Sequence, residues 1–142
     1  MHRLSLHQAN AMIEAAFAKG AELGLKPLAV TVLDPGGHMI AAQRQDGASN
    51  MRVKLAMGKA AGALSLGVSS RTIGEMAEAR PHFVASVDRM GEGGMVPAAG
   101  GVIVADAQGA VIGAIGVTGD TSEQDEACAL AGIAAAGLRA KN

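Results

Sequence analysis

Apolar residues recur every three to four positions over residues 4–25, a spacing that predicts an amphipathic helix. Ser5 and Gln8 fit a capping box at the start of this helix. The next segment, LAVTVL at 28–33, is apolar at nearly every position, which is typical of a strand covered on both faces. The chain is therefore predicted to open with a helix and a buried strand.

A strong turn signal, Asp34-Pro-Gly-Gly, follows this strand. A return strand is predicted over residues 38–44, where His38 and Arg44 would share one face. The short turn makes the two strands antiparallel neighbours.

Two helices are predicted in the middle of the chain. The first is capped by Ser49 or Asn50 and runs to about residue 65, and the second is capped by Ser70 and ends before the next proline. Residues 82–99 show no clean period, and glycine is frequent towards their end. We therefore expect a long loop there.

The last third of the chain repeats the strand-turn-strand pattern. Strands are predicted over 101–105 and 110–118, joined by a type I turn, and Asp120 or Thr121 caps a final helix. The predicted fold class is α/β (α+β), with a mainly antiparallel sheet of about five strands and helices packed on it. The predicted order is α-β-β-α-α-β-β-α.

Composition narrows the class of protein. With 142 residues, of which 49% are hydrophobic, residues 1–142 are predicted to form one folded domain rather than a disordered chain. The net charge is −1, and the only aromatic residues are two phenylalanines. A nucleic-acid binder needs a basic stripe or aromatic stacking surfaces, so no nucleic-acid partner is predicted.

The cysteine content and the hydropathy of the chain indicate in which cellular compartment the protein is expected. Cys128 is the only cysteine, which excludes an internal disulfide and a CxxC metal site. The N-terminus lacks the apolar core of a signal peptide, and the longest apolar run, residues 127–138, is about half a membrane span. We expect a cytoplasmic protein with no membrane partner.

Glycines at 113, 116 and 119 interrupt the last long strand and its junction with the final helix. Glycine weakens a strand interior unless another backbone or a ligand approaches closely. Two interpretations stay open. The glycines permit close packing of the small-sided final helix, or they let a ligand reach the free N–H groups at the helix start.

Three segments together resemble the GlcG/HbpS family, which includes the C-terminal domain of PduO-type proteins. They are VLDPGGHMIAAQRQDGA at 32–48, GGVIV at 100–104 and VIGAIGVTGDTSEQDEA at 111–127. The chain departs from the family pattern at Gln45, Ile103 and Thr118, where the family has Met, Pro and Ser.

The resemblance implies a profilin-like α/β sandwich that forms homo-oligomers, dimer-based and in some members octameric. Some members bind haem, which makes haem a candidate cofactor here. Others belong to gene clusters for glycolate, diol or aromatic catabolism, with activities mostly undefined. The family therefore constrains the fold more than the function.

The leading functional prediction is a small-ligand-binding protein. Its pocket is expected between the Arg44–Gly47 turn, the 91–101 loop and the Gly116–Thr121 junction. In the alternative structural interpretation, Arg44 pairs with Asp46 to fix the turn, and the Thr118 hydroxyl only caps a helix. The predicted ligand-binding residues are Arg44, Gly100, Gly101, Gly116, Thr118 and Gly119.

His38, His7 and His82 are the candidate haem ligands. No two histidines have metal-ligand spacing on one predicted element, so no histidine-based metal site is predicted. For each single histidine, a surface position or a hydrogen-bonded core position is the alternative interpretation.

An enzyme acting on a small carboxylate is the second functional hypothesis. In a tautomerase, hydratase or lyase of this kind, Arg44 would bind the carboxylate, and Asp46 or Lys59 would move a proton. Alternatively, the Lys59 stem packs and its amine reaches water. The sequence contains no Ser-His-Asp, paired-carboxylate or P-loop signature.

Overall fold

The computed structural model describes residues 2–142, which form five helices and five strands. Within this range no helix is both long enough and apolar enough to cross a membrane. The elements in chain order are α1 (Leu6–Glu22), β1 (Ala29–Leu33), β2 (Met39–Arg44), α2 (Arg52–Leu66), α3 (Ser70–Ala79), α4 (Pro81–Asp88), β3 (Gly101–Ala105), β4 (Val111–Thr118), α5 (Ser122–Ala135) and β5 (Arg139–Lys141).

The five strands form one sheet in the order β2-β1-β4-β3-β5, and every neighbouring pair is antiparallel. This confirms the predicted fold class. The register places Ala29 opposite both Arg44 and Thr118. The last residues of β2 and β4 therefore lie at the same end of the sheet, on either side of β1.

Helices cover both faces of the sheet. α1 and α5 pack against each other and against one face, and α2 covers β1, β4 and β3 on the other face. Because successive strand residues point to opposite faces, alternate positions of β1 and β4 supply the larger core. That core includes Met12, Ile13, Val30, Val32, Ile115, Val117 and Ile133.

Two elements differ from the predicted order. Pro81 ends α3 as expected, but it also starts α4 at the first helical position, where its missing N–H costs nothing. The last strand, β5, has only three residues, all exposed, and carries no apolar alternation that a sequence pattern could show. The observed order is therefore α-β-β-α-α-α-β-β-α-β.

Local capping confirms some helix starts and corrects others. Ser5 and Gln8 form the predicted capping box, and Thr121 caps α5. The predicted cap at Ser70 is wrong, because the neighbouring Ser69 accepts the hydrogen bond from Thr72 at the start of α3.

The predicted cap of α2 is also wrong. Met51 occupies the cap position and makes no side-chain hydrogen bond there. The Asn50 side chain instead accepts a hydrogen bond from Arg44 at 2.9 Å. Asn50 therefore does not cap α2, and its side chain links the segment before α2 to the end of β2.

Candidate functional site

α2 lies directly on β3 and β4, at paired positions that carry no side chains. Gly101 and Gly116 are opposite each other in the sheet. A Cβ at Gly116 would overlap the carbonyl oxygen of Ala56, and a Cβ at Gly101 would overlap that of Lys59. Backbone of α2 therefore fills the space beside these glycines, and their predicted ligand-binding role stays a prediction.

Gly100 lies beside Lys59 of α2, and Gly119 lies beside Pro27 and Leu28, which precede β1. Their φ angles are 131° and 149°, a backbone region that side-chain-bearing residues rarely adopt. A Cβ would overlap the carbonyl oxygen of Val117 at Gly100, and that of Pro27 at Gly119. Close backbone packing accounts for glycine at both positions.

A buried ion pair holds this contact together. Lys59 and Asp125 are 4% and 1% exposed, and Lys59 Nζ lies 3.1 Å from Asp125 Oδ2. The same ammonium donates to the carbonyl oxygen of Val117 at 3.1 Å, and Asp125 Oδ1 accepts from the amide of Asp120 at 2.9 Å. The pair therefore links α2, β4 and the start of α5.

Burial is the largest influence on the pKa of Lys59 and on the pKa of Asp125. It lowers the pKa of Lys59, and the Asp125 carboxylate only partly offsets that effect. It also raises the pKa of Asp125, although the amide of Asp120 and the Lys59 ammonium favour the charged form. The Lys59 amine is buried and paired with Asp125, and its predicted catalytic role stays a prediction.

Arg52 is a polar residue at this site that sequence reasoning did not select. Its Nη1 donates to the hydroxyl of Thr118 at 3.2 Å, and Thr118 is 2% exposed. Arg52 occupies the first turn of α2, directly above the end of β4. Sequence spacing could not show the contact, because 66 residues separate the two side chains.

Arg44 and Asp46 are both exposed and line a cavity of about 610 Å³. Phe17 and Leu25 form its apolar side, and Lys26 adds a second cation. The structure brings Arg44 and Asp46 together at one mouth, as the predicted turn requires. Neither the 91–101 loop nor the Gly116–Thr121 junction lines this cavity.

A second cavity, of about 450 Å³, lies between the β1–β2 turn, residues 92–93 and the flank of α2 that carries Met57, Ala61 and Leu64. Its walls are mostly apolar or small, and we call it the methionine groove after two of its residues. Sequence reasoning missed it, although Met57, Ala61 and Leu64 have the spacing of one helix face. The lining is Pro35, Gly36, Gly37, His38, Met39, Met57, Ala61, Leu64, Ser65, Glu92 and Gly93.

His38 stands at the rim of the methionine groove, with its side chain 83% exposed. Its Nδ1 lies 3.3 Å from Asp34 Oδ1, and that oxygen also accepts the amides of Gly36 and His38 at 2.9 and 3.0 Å. Burial opposes ionisation of Asp34, but these amides and the nearby imidazole outweigh it and lower its pKa. The carboxylate thus orients the ring and leaves Nε2 free.

The other two candidate haem ligands lie elsewhere. His7 is exposed in the first turn of α1, and His82 is exposed in the first turn of α4. Over residues 2–142, neither has a carboxylate within ion-pair distance. In the same range, no three His, Cys, Asp or Glu side chains form a metal-binding group.

Solved structures show the same fold. A complex of PduOC with haem superposes with a TM-score of 0.85 at 23% identity, covering 99% of each chain. Klebsiella pneumoniae protein ORFY gives 0.85 at 25% identity, covering 96% of this chain and 92% of that one. HbpS gives 0.81 at 27% identity, covering 94% and 90%.

No functionally curated protein matches the chain, and the enzymatic alternative finds no support in these comparisons. A family model described as "Haem degrading protein HbpS-like" matches residues 4–134. That match confirms the resemblance found in the sequence and spans most of the chain. The protein belongs to the HbpS-like family.

Proposed function

We propose that this protein binds haem in the methionine groove, with His38 as the iron ligand. The observation that carries the proposal is the His38–Asp34 contact at the rim of a cavity walled by methionine, leucine and small residues. The similarity to PduOC, whose structure is a complex with haem, and to HbpS supports haem as the ligand.

The groove has the volume and lining of a small-ligand site. Its volume of about 450 Å³ lies within the range of about 300–1,000 Å³ typical of small-ligand sites. Met39, Met57 and Leu64 offer apolar walls, and methionine adapts its shape to a flat ligand. Imidazole nitrogen and thioether sulfur are both established haem-iron ligands.

Asp34 supports His38 in the way carboxylates support metal-ligating histidines. A ligating imidazole almost always donates its second N–H to a carboxylate, a backbone carbonyl or water, which fixes the tautomer and the ring orientation. Asp34 occupies that position towards Nδ1, and its low pKa keeps it ionised at neutral pH. His38 Nε2 would then bind the metal, and Asp34 would act as a positioning residue.

When bound, haem would supply a redox-active iron at the rim of the groove. The chain itself would hold the ring between the β1–β2 turn and α2 and limit the access of water to one face. Gly36 allows this arrangement, because a Cβ there would lie 3.0 Å from the imidazole.

A homo-oligomer, dimer-based and up to an octamer, is the proposed assembly. Large apolar side chains that stay exposed in the single chain support burial against a second copy. Light scattering on the purified protein tests this, and a monomer at micromolar concentration would contradict it. These side chains include Leu6, Phe83, Met90 and Leu130.

The test of haem binding is a haemin titration followed by absorbance. The wild-type protein is expected to give a Soret shift that saturates at one haemin per chain. His38→Ala should abolish that shift, whereas His7→Ala and His82→Ala should leave it unchanged, because those side chains lie outside the groove. Asp34→Asn should weaken binding about 10- to 100-fold while keeping the same spectrum.

Circular dichroism on each variant is the control for folding, and all four replaced side chains lie outside the core. A shift that never saturates and is equal in all variants would overturn the proposal, since it would show nonspecific uptake. Loss of the shift in His7→Ala or His82→Ala alone would move the iron ligand to that residue and contradict the groove.

A further inference from the structure

A third cavity, of about 370 Å³, lies between the first turns of α2 and the loop that follows α4. Gly93 packs onto Ala61 and Met57 between this cavity and the methionine groove, so the two are separate. The volume of the third cavity lies at the lower end of the range of about 300–1,000 Å³ that is typical of small-ligand sites. The residues that line it are Met51, Lys54, Leu55, Met57, Gly58, Asp88, Gly93, Gly94, Met95 and Val96.

Apolar side chains form the walls of the third cavity. Leu55 of α2 lies on one side, and Met95 and Val96 of the loop lie on the other, and all three are only partly exposed. Met51 adds a second flexible thioether side chain, of a kind that adapts its shape to an apolar neighbour. The interior of the cavity therefore suits the aliphatic part of a small molecule.

Two side chains of opposite charge stand at the rim of this cavity. Lys54 belongs to the first turn of α2, Asp88 is the last residue of α4, and both are exposed. Over residues 2–142, neither side chain has an oppositely charged group within 4.0 Å, so the two do not pair with each other. A ligand that carries both a carboxylate and an ammonium would complement them.

The two helices favour the same arrangement of charge. The start of a helix carries a partial positive charge and the end carries a partial negative charge. The cap residue of α2, Met51, makes no side-chain hydrogen bond at the start of that helix. A carboxylate beside Lys54 and an ammonium beside Asp88 would each lie at the helix end that stabilises it.

We infer that the third cavity binds a small α-amino acid with an aliphatic side chain. The carboxylate of the amino acid pairs with Lys54, its ammonium pairs with Asp88, and its side chain lies against Leu55 and Met95. This site is additional to the proposed haem site, because neither His38 nor Met39 lines the third cavity.

The test uses L-leucine and two analogues of the same shape. One is 4-methylpentanoate, which lacks the ammonium, and the other is 3-methylbutylamine, which lacks the carboxylate. Nuclear magnetic resonance of protein labelled at the methionine methyl groups reports where each ligand binds. L-leucine should shift the signals of Met51 and Met95 to saturation and leave Met39, which lines only the methionine groove, unchanged.

Two charge variants separate the roles of the rim residues. Lys54→Met should weaken the binding of L-leucine and of 4-methylpentanoate about two- to fivefold, the effect of one exposed ion pair, and should not affect the amine. Asp88→Asn should weaken the binding of L-leucine and of the amine by a similar factor and should not affect 4-methylpentanoate. Lys54→Arg keeps the charge and should behave as wild type.

His38→Ala is the control that separates this site from the proposed haem site. It should leave the binding of L-leucine unchanged, because His38 does not line the third cavity. An L-leucine titration in which Met51 and Met95 show no saturable shift, or in which Met39 shifts instead, would overturn the inference. Equal effects of Lys54→Met on all three ligands would also overturn it. Failure of haemin to bind would contradict the proposed function and leave this inference standing.

Discussion

The two sides of α2 use small residues for opposite purposes. On the sheet side, glycines of β3 and β4 bring backbone against backbone, and the remaining space holds the Lys59–Asp125 pair. On the flank of α2 that carries Met57 and Leu64, the β1–β2 turn with its two glycines leaves a cavity that methionines line. Glycine alone therefore does not distinguish a closed contact from an open site.

The difference lies in what stands opposite the glycine. Gly116 faces Ala56 and the helix backbone, whereas an added Cβ at Gly37 would have nothing within 4 Å. A ligand can approach a glycine only where no neighbouring helix or strand fills the space beside it. Adaptable apolar side chains, such as Met39 and Met57, line such a space here. This contrast supports packing at the Gly101–Gly116 contact and the proposed binding on the flank of α2 that carries Met57.

The largest expected effect on stability comes from breaking the buried Lys59–Asp125 ion pair between α2 and α5. Lys59→Met should lower the free energy of unfolding by about 3–5 kcal/mol, because it leaves the Asp125 carboxylate buried without its partner. Urea unfolding measures this change. The double variant Lys59→Met/Asp125→Asn should recover part of the loss, since it removes the charge and keeps an oxygen for the amide of Asp120. A double variant less stable than Lys59→Met would contradict this account.

The next effect concerns the close backbone contact. Gly116→Ala should cost about 1–3 kcal/mol, towards the upper end, because the obstructing atom belongs to the backbone of α2 and cannot rotate away. Gly91→Ala is the matched control, since its Cβ would lie at an ordinary 3.8 Å from Ser65 Oγ, and it should change stability by less than about 0.5 kcal/mol. Equal effects of the two substitutions in thermal or urea unfolding would argue against the packing assignment.

A smaller effect is the pH dependence that the ion pair adds to stability. The pKa of Asp125 is raised above 3.8 on folding, so its contribution is present below pH 3.8 and is lost as pH rises through the folded value. The pKa of Lys59 is lowered below 10.5, so its contribution is present above pH 10.5 and is lost as pH falls through the folded value. Both contributions are therefore absent in the window between the two folded values.

Urea unfolding of wild type and of Lys59→Met/Asp125→Asn across this range checks the sign. The stability of the double variant relative to wild type should be greatest in the middle of the window and should fall towards both ends. A difference that is independent of pH would show that the pair titrates as it does in the unfolded chain.

Local patterns predicted most of the fold, because they reflect contacts close in sequence. The capping box at Ser5 and the turn at Asp34 depend on residues within four positions, and both are found. β5 escaped prediction because it becomes a strand only by pairing with β3. Pro81 follows the end of α3 and is also the first residue of α4. A proline in the sequence indicates the end of a helix, but it does not show whether another helix begins there.

The site was less predictable, because its contacts join distant segments. Lys59 and Asp125 are 66 residues apart, and the methionine groove combines the β1–β2 turn, α2 and Gly93. Of the predicted site residues, the structure places His38 at that groove and Arg44 at another cavity. The packing of α2 over the β1–β2 turn determines that His38 lies beside a cavity. This packing joins distant segments, so a local sequence pattern cannot predict it.

The central claim is that the groove beside Met57, and not the contact of α2 with Gly101 and Gly116, holds the ligand. A crystal of the protein grown with haemin tests it through the anomalous signal of iron. We predict one iron peak per chain within bonding distance of His38 Nε2, with the ring against Met57. A peak beside Arg44 or Thr118, or one bonded to His7 or His82, would contradict the account.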